Sequence, residues 1–302
     1  MADALIARLA ELKQRRRAVI LAHNYQRPEV QDAADFVGDS LELSRKASQT
    51  DAAVILFCGV HFMAETAAVL CPGRKVVIPD ANAGCPMANM VTPRELLDMK
   101  RSHPDAIVVA YVNTTAAVKA ECDICCTSAN AAQVLKSLGR GREIIFIPDR
   151  NLADYAGRQS GVSVIAWPGY CPTHARIMPD DILKMRAEHP NAKVIAHPEC
   201  RREVLEIADK VAGTSGMLRF CAESDAPEFI LATEPGLLHR LQKENPGKRF
   251  FPAAERADCP NMKLNTLEKM VWALEDMTPE VTVPADVADR ARRAIGRMLE
   301  VR

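Results

Sequence analysis

Three cysteines, Cys85, Cys171 and Cys259, lie 86 and 88 residues apart, and a proline follows each of them, as Pro86, Pro172 and Pro260. The strand-like runs AVILAHNY, AIVVAYVN and KVIAHPEC carry His23, Tyr111 and His197 at separations of 88 and 86. Ser40, Ser128 and Thr214 keep the same two separations. The best direct self-match sets Thr92–Asn113, TPRELLDMKRSHPDAIVVAYVN, against Met178–Glu199, MPDDILKMRAEHPNAKVIAHPE. Self-similarity at a fixed period constrains architecture more than any local motif, because each unit must fold alike. It also makes the three cysteines candidates for a single site.

Short apolar runs alternate with helical patterns along the chain, as in VILAHNY followed by DAADFVGDSLELSRKASQ and VILFCG followed by HFMAETAAVL. That alternation predicts parallel strands with crossover helices. The expected fold is α/β, with three similar small parallel-sheet domains in a pseudo-threefold arrangement around a central active site and about three strands in each unit. The expected domains are 1–87 plus 261–302, 88–173, and 174–260, with boundaries at the Cys-Pro pairs because proline denies helix continuation. The tail MTPEVTVPADVADRARRAIGRMLE resembles the opening of the second and third repeats, and its helix is expected to pack against the first unit.

Lysine plus arginine equals aspartate plus glutamate at 39 each, so no global field draws the chain to nucleic acid or an anionic membrane. No apolar stretch approaches the roughly 20 residues of a membrane span, and the N-terminus has an amphipathic helical pattern, so a cytoplasmic location is expected. Ten cysteines in 302 residues are too sparse for a disulfide scaffold and, in a reducing compartment, favour metal or catalytic roles for a minority of them.

Ligands of parallel α/β sheets gather at the carboxyl ends of the strands. His23, Asn24, Tyr25, Tyr111, Asn113, His197 and Glu199 sit at such ends, and three equivalent polar positions outweigh the structural reading a lone histidine would receive. Ser40, Ser128 and Thr214 stand near probable helix starts. Each could be an ordinary N-cap worth about 1 kcal/mol, but their equivalence favours a shared site for carboxylates or phosphate. Three thiolates from three loops suit a 4Fe-4S cluster with one iron lacking a protein ligand. Structural zinc would want four ligands in short paired spacings, and open-site zinc is the weaker alternative. Cys122, Cys125 and Cys126, in the segment ECDICCTSAN that is read as a loop and helix start, are read as buried or incidental thiols. Cys58, Cys71, Cys200 and Cys221 are read as packing thiols.

The segments ILAHNYQRPEVQDAADFVGDSLELS, AYVNTTAAVKA, CTSANA, PGYCPTH, AHPEC, GTSGM and CPNMKLNTL, in order along nearly the whole chain, resemble the quinolinate synthase family of bacterial NAD formation. The resemblance implies three α/β domains about a pseudo-threefold axis, with one 4Fe-4S cluster held by Cys85, Cys171 and Cys259. It implies condensation of iminoaspartate with dihydroxyacetone phosphate to quinolinate, phosphate and water, and transient delivery of iminoaspartate by the enzyme that makes it. Some relatives carry CxxCxxC at the third ligand; here PNMKLN follows Cys259, which speaks against thiol-disulfide regulation there. Glu199, two residues beyond His197 and so on the same face of an extended strand end, is the general acid/base candidate; Tyr25 and Tyr111, whose phenols can donate and accept, and His197 are the further catalytic candidates. His23, Ser40, Tyr111, Asn113, Ser128, His197, Glu199 and Thr214 are the substrate-binding candidates. Ser215 could share the role of Thr214, and His174 could stand behind the cluster ligands. An iron-sulfur hydro-lyase and a non-enzymatic iron-sulfur sensor remain alternative readings at this point.

Overall fold

The computed structural model describes residues 2–139 and 141–301. The first unit runs α1 (Ala2–Arg16), β1 (Ala18–His23), α2 (Pro28–Ala33), β2 (Phe36–Gly38), α3 (Ser40–Gln49), β3 (Val54–Cys58), α4 (His61–Leu70) and β4 (Lys75–Val77). The second runs α5 (Pro93–Ser102), β5 (Ile107–Tyr111), α6 (Ala116–Lys119), β6 (Ile124–Cys126), α7 (Ala131–Leu138), β7 (Ile144–Ile147), α8 (Arg150–Ser160) and β8 (Ile165–Ala166). The third runs α9 (Pro179–Glu188), β9 (Lys193–Ala196), α10 (Arg202–Glu206), β10 (Lys210–Val211), α11 (Thr214–Glu223), β11 (Glu228–Ala232), α12 (Leu237–Glu244) and β12 (Arg249–Pro252). Two helices follow, α13 (Leu267–Asp276) and α14 (Ala285–Glu300).

Helix and strand thus alternate in one order three times, and the sheets share one topology: β2-β1-β3-β4, β6-β5-β7-β8 and β10-β9-β11-β12. Every pairing within them is parallel. The α/β fold expected from the alternation is the one adopted. Strands β3 (VILFC), β7 (IIFI) and β11 (EFILA) are buried along their whole length. Such buried runs, apolar apart from Glu228 at the start of β11, are what a parallel strand covered on both faces requires.

Each sheet has four strands rather than the expected three, and the additional one is always the second. β2 and β6 have three residues and β10 has two, too few for a period to emerge from the helical patterns around them. What fixes them is an aspartate just ahead of each strand. Asp35, Asp123 and Asp209 accept the backbone N–H groups of Ile20, Val108 and Val194 at 2.9, 2.8 and 2.8 Å. Their own N–H groups return to the carbonyls of the same three residues. These aspartates also lie 88 and 86 residues apart, so the clasp belongs to the repeat. Cys125 and Cys126 consequently lie on β6 within the core, not in a loop.

After each Cys-Pro pair the chain makes one 3₁₀ turn, Met87–Asn89, His174–Arg176 or Met262–Leu264. A helix then starts, with its N-cap at Thr92, Met178 or Thr266, seven residues beyond the cysteine each time. The helix that continues the repeat after Cys259 is therefore α13, not the tail helix. It packs on α1 and β3, so the chain closes back on its first sheet. Helix α14 corrects the expectation for the tail: it lies mainly against β6 and α6 of the second unit and meets the first chiefly at α4. Its alanine-rich face, Ala288, Ala291 and Ala294, is buried and allows that close approach. Among the described residues no helix is long and apolar enough to cross a membrane.

Candidate active site

The three sheets aim the carboxyl ends of their strands at one cavity of about 170 Å³. Cys85, Cys171 and Cys259 line it together with His23, Tyr25, Ser40, Tyr111, Asn113, Ser128, His174, His197, Glu199 and Thr214. The sequence-predicted residues thus come together in one place. Each strand position contributes one kind of group: the first strand a ring, the short second strand a hydroxyl, and the segment beyond the fourth a cysteine.

At the first-strand ends, His23 Nδ1 accepts the N–H of Tyr25 at 3.2 Å, and His197 Nδ1 accepts the N–H of Glu199 at 3.3 Å. Burial lowers the pKa of both rings to about 3, so both are neutral. A neutral imidazole whose Nδ1 accepts must carry its proton on Nε2, which makes each ring a fixed N–H donor. In the second unit Tyr111 takes the ring position, and Asn113, two residues on, has a buried Oδ1 with no hydrogen-bond partner among the described residues. An orphaned acceptor in a cavity wall is a group awaiting a ligand donor.

None of the three hydroxyl residues is a helix cap. Asp39 caps α3 through a capping box with Glu42, Asn130 is the N-cap of α7, and Gly213 that of α11. The Ser40 and Ser128 hydroxyls make no hydrogen bond to another described residue, and Thr214 Oγ1 accepts Asn24 Nδ2 at 2.8 Å. Ser215 does not share this role: its hydroxyl stands 2.7 Å from both the Asp39 and Glu42 carboxylates, where it ties α11 to α3.

The densest chemistry is around Glu199. Tyr111 donates its hydroxyl to Glu199 Oε1 at 2.5 Å, and His174 Nδ1 stands 2.7 Å from Oε2 and 3.2 Å from Cys171 Sγ. The His174 ring stacks on His197 with centroids 4.5 Å apart, and its Nε2 meets Thr233 Oγ1 at 3.0 Å. Tyr25 completes the chain, its hydroxyl 2.6 Å from the same Thr233 oxygen. Burial opposes ionisation of Glu199, but the adjacent His174 ring and the Tyr111 hydroxyl hold its pKa below the ordinary carboxylate value. Burial, reinforced by the Glu199 charge, raises both tyrosines well above theirs. The wall is therefore a buried carboxylate that accepts the Tyr111 hydroxyl on one oxygen and faces the His174 ring on the other.

Burial also raises the three cysteines, Cys85 to about 12, while backbone N–H groups one turn beyond each sulfur pull the other way. Those donors belong to Met87 and Ala88, to His174, and to Asn261 and Met262, the same 3₁₀ turn used three times. Each sulfur thus sits where a thiolate is solvated by main chain but ionises only beside added positive charge, as metal thiolates do. Cys171, His174 and Glu199 also bring ligand-type atoms within 4.8 Å of one another. Their spacings are those of hydrogen bonds, so His174 orients Cys171 and Glu199 instead of replacing a cysteine. The three-cysteine donor set fits an iron-sulfur cluster.

Sequence reasoning missed two buried acids. Asp149, just past β7, accepts the Cys171 N–H at 3.1 Å and caps α8 through the Leu152 N–H at 2.7 Å. Glu234, just past β11, accepts the Cys259 N–H at 3.1 Å and pairs with Lys263 at 2.8 Å. The matched runs IIFIPD and FILATE held the signal, an acid two residues beyond the third strand in two units.

A sequence profile described as quinolinate synthetase A protein matches residues 7–300. A quinolinate synthase of Desulforudis audaxviator is 53% identical over 299 residues, covering 99% of each chain. One of Methanosarcina barkeri is 54% identical over 298 residues, 99% of this chain and 98% of the relative. One of Methanoregula boonei is 55% identical over 291 residues, 96% of each.

Proposed function

The chain belongs to the quinolinate synthetase A protein family and is an enzyme of quinolinate formation in NAD biosynthesis; from that premise we propose that its cavity joins iminoaspartate to dihydroxyacetone phosphate, with Glu199 as the central proton-transfer group. The sensor reading gives way to the family, and so does the hydro-lyase. The observation that carries the proposal is the run Tyr111–Glu199–His174, ending 3.2 Å from Cys171 Sγ in a cavity reached by all three cysteines.

A 4Fe-4S cluster on Cys85, Cys171 and Cys259 would supply one iron with no protein ligand, a Lewis acid toward a substrate hydroxyl or carboxylate. The chain's own groups account for the rest. The Nε2–H groups of His23 and His197 and the hydroxyls of Ser40, Ser128 and Thr214 bind substrate oxygens without carrying charge into the site. The free Asn113 Oδ1 accepts an N–H, which suits the nitrogen of iminoaspartate. Forming the ring takes protons from carbon and nitrogen and delivers protons to departing oxygen. Glu199 accepts them, while Tyr111 on one oxygen and His174 on the other hold the carboxylate in place and return them. Tyr25, tied to His174 through Thr233, is proposed to orient that ring.

The test is anaerobic: quantify iron and sulfide, then assay quinolinate and phosphate release from iminoaspartate and dihydroxyacetone phosphate. About four irons per chain with quinolinate formed, and both lost in Cys85→Ala, Cys171→Ala and Cys259→Ala, is the expected result. A loaded cluster with no quinolinate would overturn the assignment of the site.

A further inference from the structure

The cavity that is to take two multiply charged anions holds little positive charge of its own. Among the described residues Arg176 is the only lysine or arginine that lines it, and a buried carboxylate, Glu199, is part of its wall. Positive charge gathers instead just outside. A groove of about 420 Å³ between α7, α8 and α11 is lined by Lys136 on α7, Lys210 on β10 and Arg219 on α11, with Glu223 as its one acid. All three cations are exposed, and none lies within salt-bridge distance of a carboxylate among the described residues. Among the described residues, three cations against one anion give the groove an excess of positive charge, in a chain whose formal net charge is zero.

The groove and the cavity share a wall. Ser128 lines both, and Gly213, which lines the groove, directly precedes the cavity residue Thr214. The two wall residues touch so closely that a Cβ on Gly213 would stand 2.8 Å from Ser128 Oγ. The Ser128 side-chain Cβ and the Ala129 backbone N stand 3.6 Å from the same point, so the partition is one residue thick and the Ser128 hydroxyl is its rotatable part. The serine is free to turn because its hydroxyl makes no hydrogen bond to another described residue.

We infer that the groove lined by Lys136, Lys210 and Arg219 is the intake of the active site, a staging position for the phosphate dianion of the triose substrate on the outer side of the Ser128–Gly213 wall. The inference rests on the function proposed above and names the route by which its substrate arrives. A convergent set of unpaired cations on low-dielectric walls raises the local concentration of a dianion and its association rate, and does so less as salt rises.

The experiment uses the anaerobic, cluster-loaded protein and a triple variant, Lys136→Ala/Lys210→Ala/Arg219→Ala, matched for iron content and circular dichroism. Inorganic phosphate is the first probe, followed by its ³¹P line width, and succinate is the comparison for a dicarboxylate. Wild type should broaden the phosphate line, and the triple variant should not. In kinetics, kcat/KM for dihydroxyacetone phosphate at low salt should fall about tenfold in the variant, with kcat within twofold and the salt dependence lost. Glu223→Gln should shift kcat/KM the other way. No phosphate broadening in wild type, or a triple variant with wild-type kcat/KM and salt slope, would overturn the intake. Succinate competing as well as phosphate would overturn its assignment to the phosphate group. Phosphate binding lost in the variant while wild type makes no quinolinate would sink the proposed reaction and leave the anion site standing.

Discussion

The edges of the three sheets are alike and their mouths are not. At the edges, Asp35, Asp123 and Asp209 make the same pair of bonds to the neighbouring strand, to within a tenth of an ångström on the side-chain bond. At the mouths, just past the third strand, the equivalent region offers Gly59 and Val60 in the first unit, Asp149 in the second and Glu234 in the third. Two cysteine loops are thus tied by a buried acid, and the Cys85 loop is held from outside, where Asn261 donates to the Gly84 carbonyl at 2.8 Å. Repetition persists where it serves folding, because each sheet faces the same packing problem. It breaks where three loops must meet one asymmetric set of substrates.

The sharpest way to test that division is at the residue with no counterpart in the other units. Glu199 occupies the place of Tyr25 and Asn113, and Glu199→Gln should lower kcat by about 10²–10⁴ while leaving iron content near wild type. A kcat within a few-fold of wild type would move the asymmetry away from chemistry. Next comes Glu234→Leu, which strands Lys263 and the Cys259 N–H and should cost about 3 kcal/mol in urea unfolding at fixed iron loading. Asp149→Ala, removing a helix cap and the acceptor for the Cys171 N–H, should cost about 2 kcal/mol by the same measurement. The edge aspartates should give the smallest and most uniform effects: Asp35→Ala, Asp123→Ala and Asp209→Ala should each cost about 1 kcal/mol. A spread among those three as wide as the gap between Glu234→Leu and Asp149→Ala would erase the contrast between edge and mouth.

What the sequence disclosed follows the same line. The long buried strands, the cysteine period and the polar strand ends were legible because each recurs with its spacing intact. β2, β6 and β10 were not, since two or three residues held by a neighbour's carboxylate leave no periodicity of their own. The aspartates that hold them share the period of the cysteines, but a solvent-accessible acid ahead of an edge strand resembles any surface charge. Asp149 and Glu234 escaped for the opposite reason. Only two units carry an acid there, and its worth depends on an N–H that tertiary structure brings to it. Ser40, Ser128 and Thr214 were placed correctly near helix starts, yet what frees their hydroxyls is that Asp39, Asn130 and Gly213 occupy the cap positions.

The return of α13 to the first sheet bears on the order in which the molecule can be made. One apolar core combines Leu9, Leu12, Ile20 and Leu56 from the beginning of the chain with Leu267, Met270, Val271 and Leu274 from near its end. During synthesis the first sheet emerges first, but the helix that covers its outer face emerges after both other sheets. Until then α1 covers that face without its partner helix α13, and the apolar residues that α13 buries stay exposed. The last cysteine precedes α13 by only a few residues, so the step that seals the first sheet also brings the third sulfur to the cavity. Closing the core of the first sheet and delivering the third cysteine to the cavity are thereby coupled.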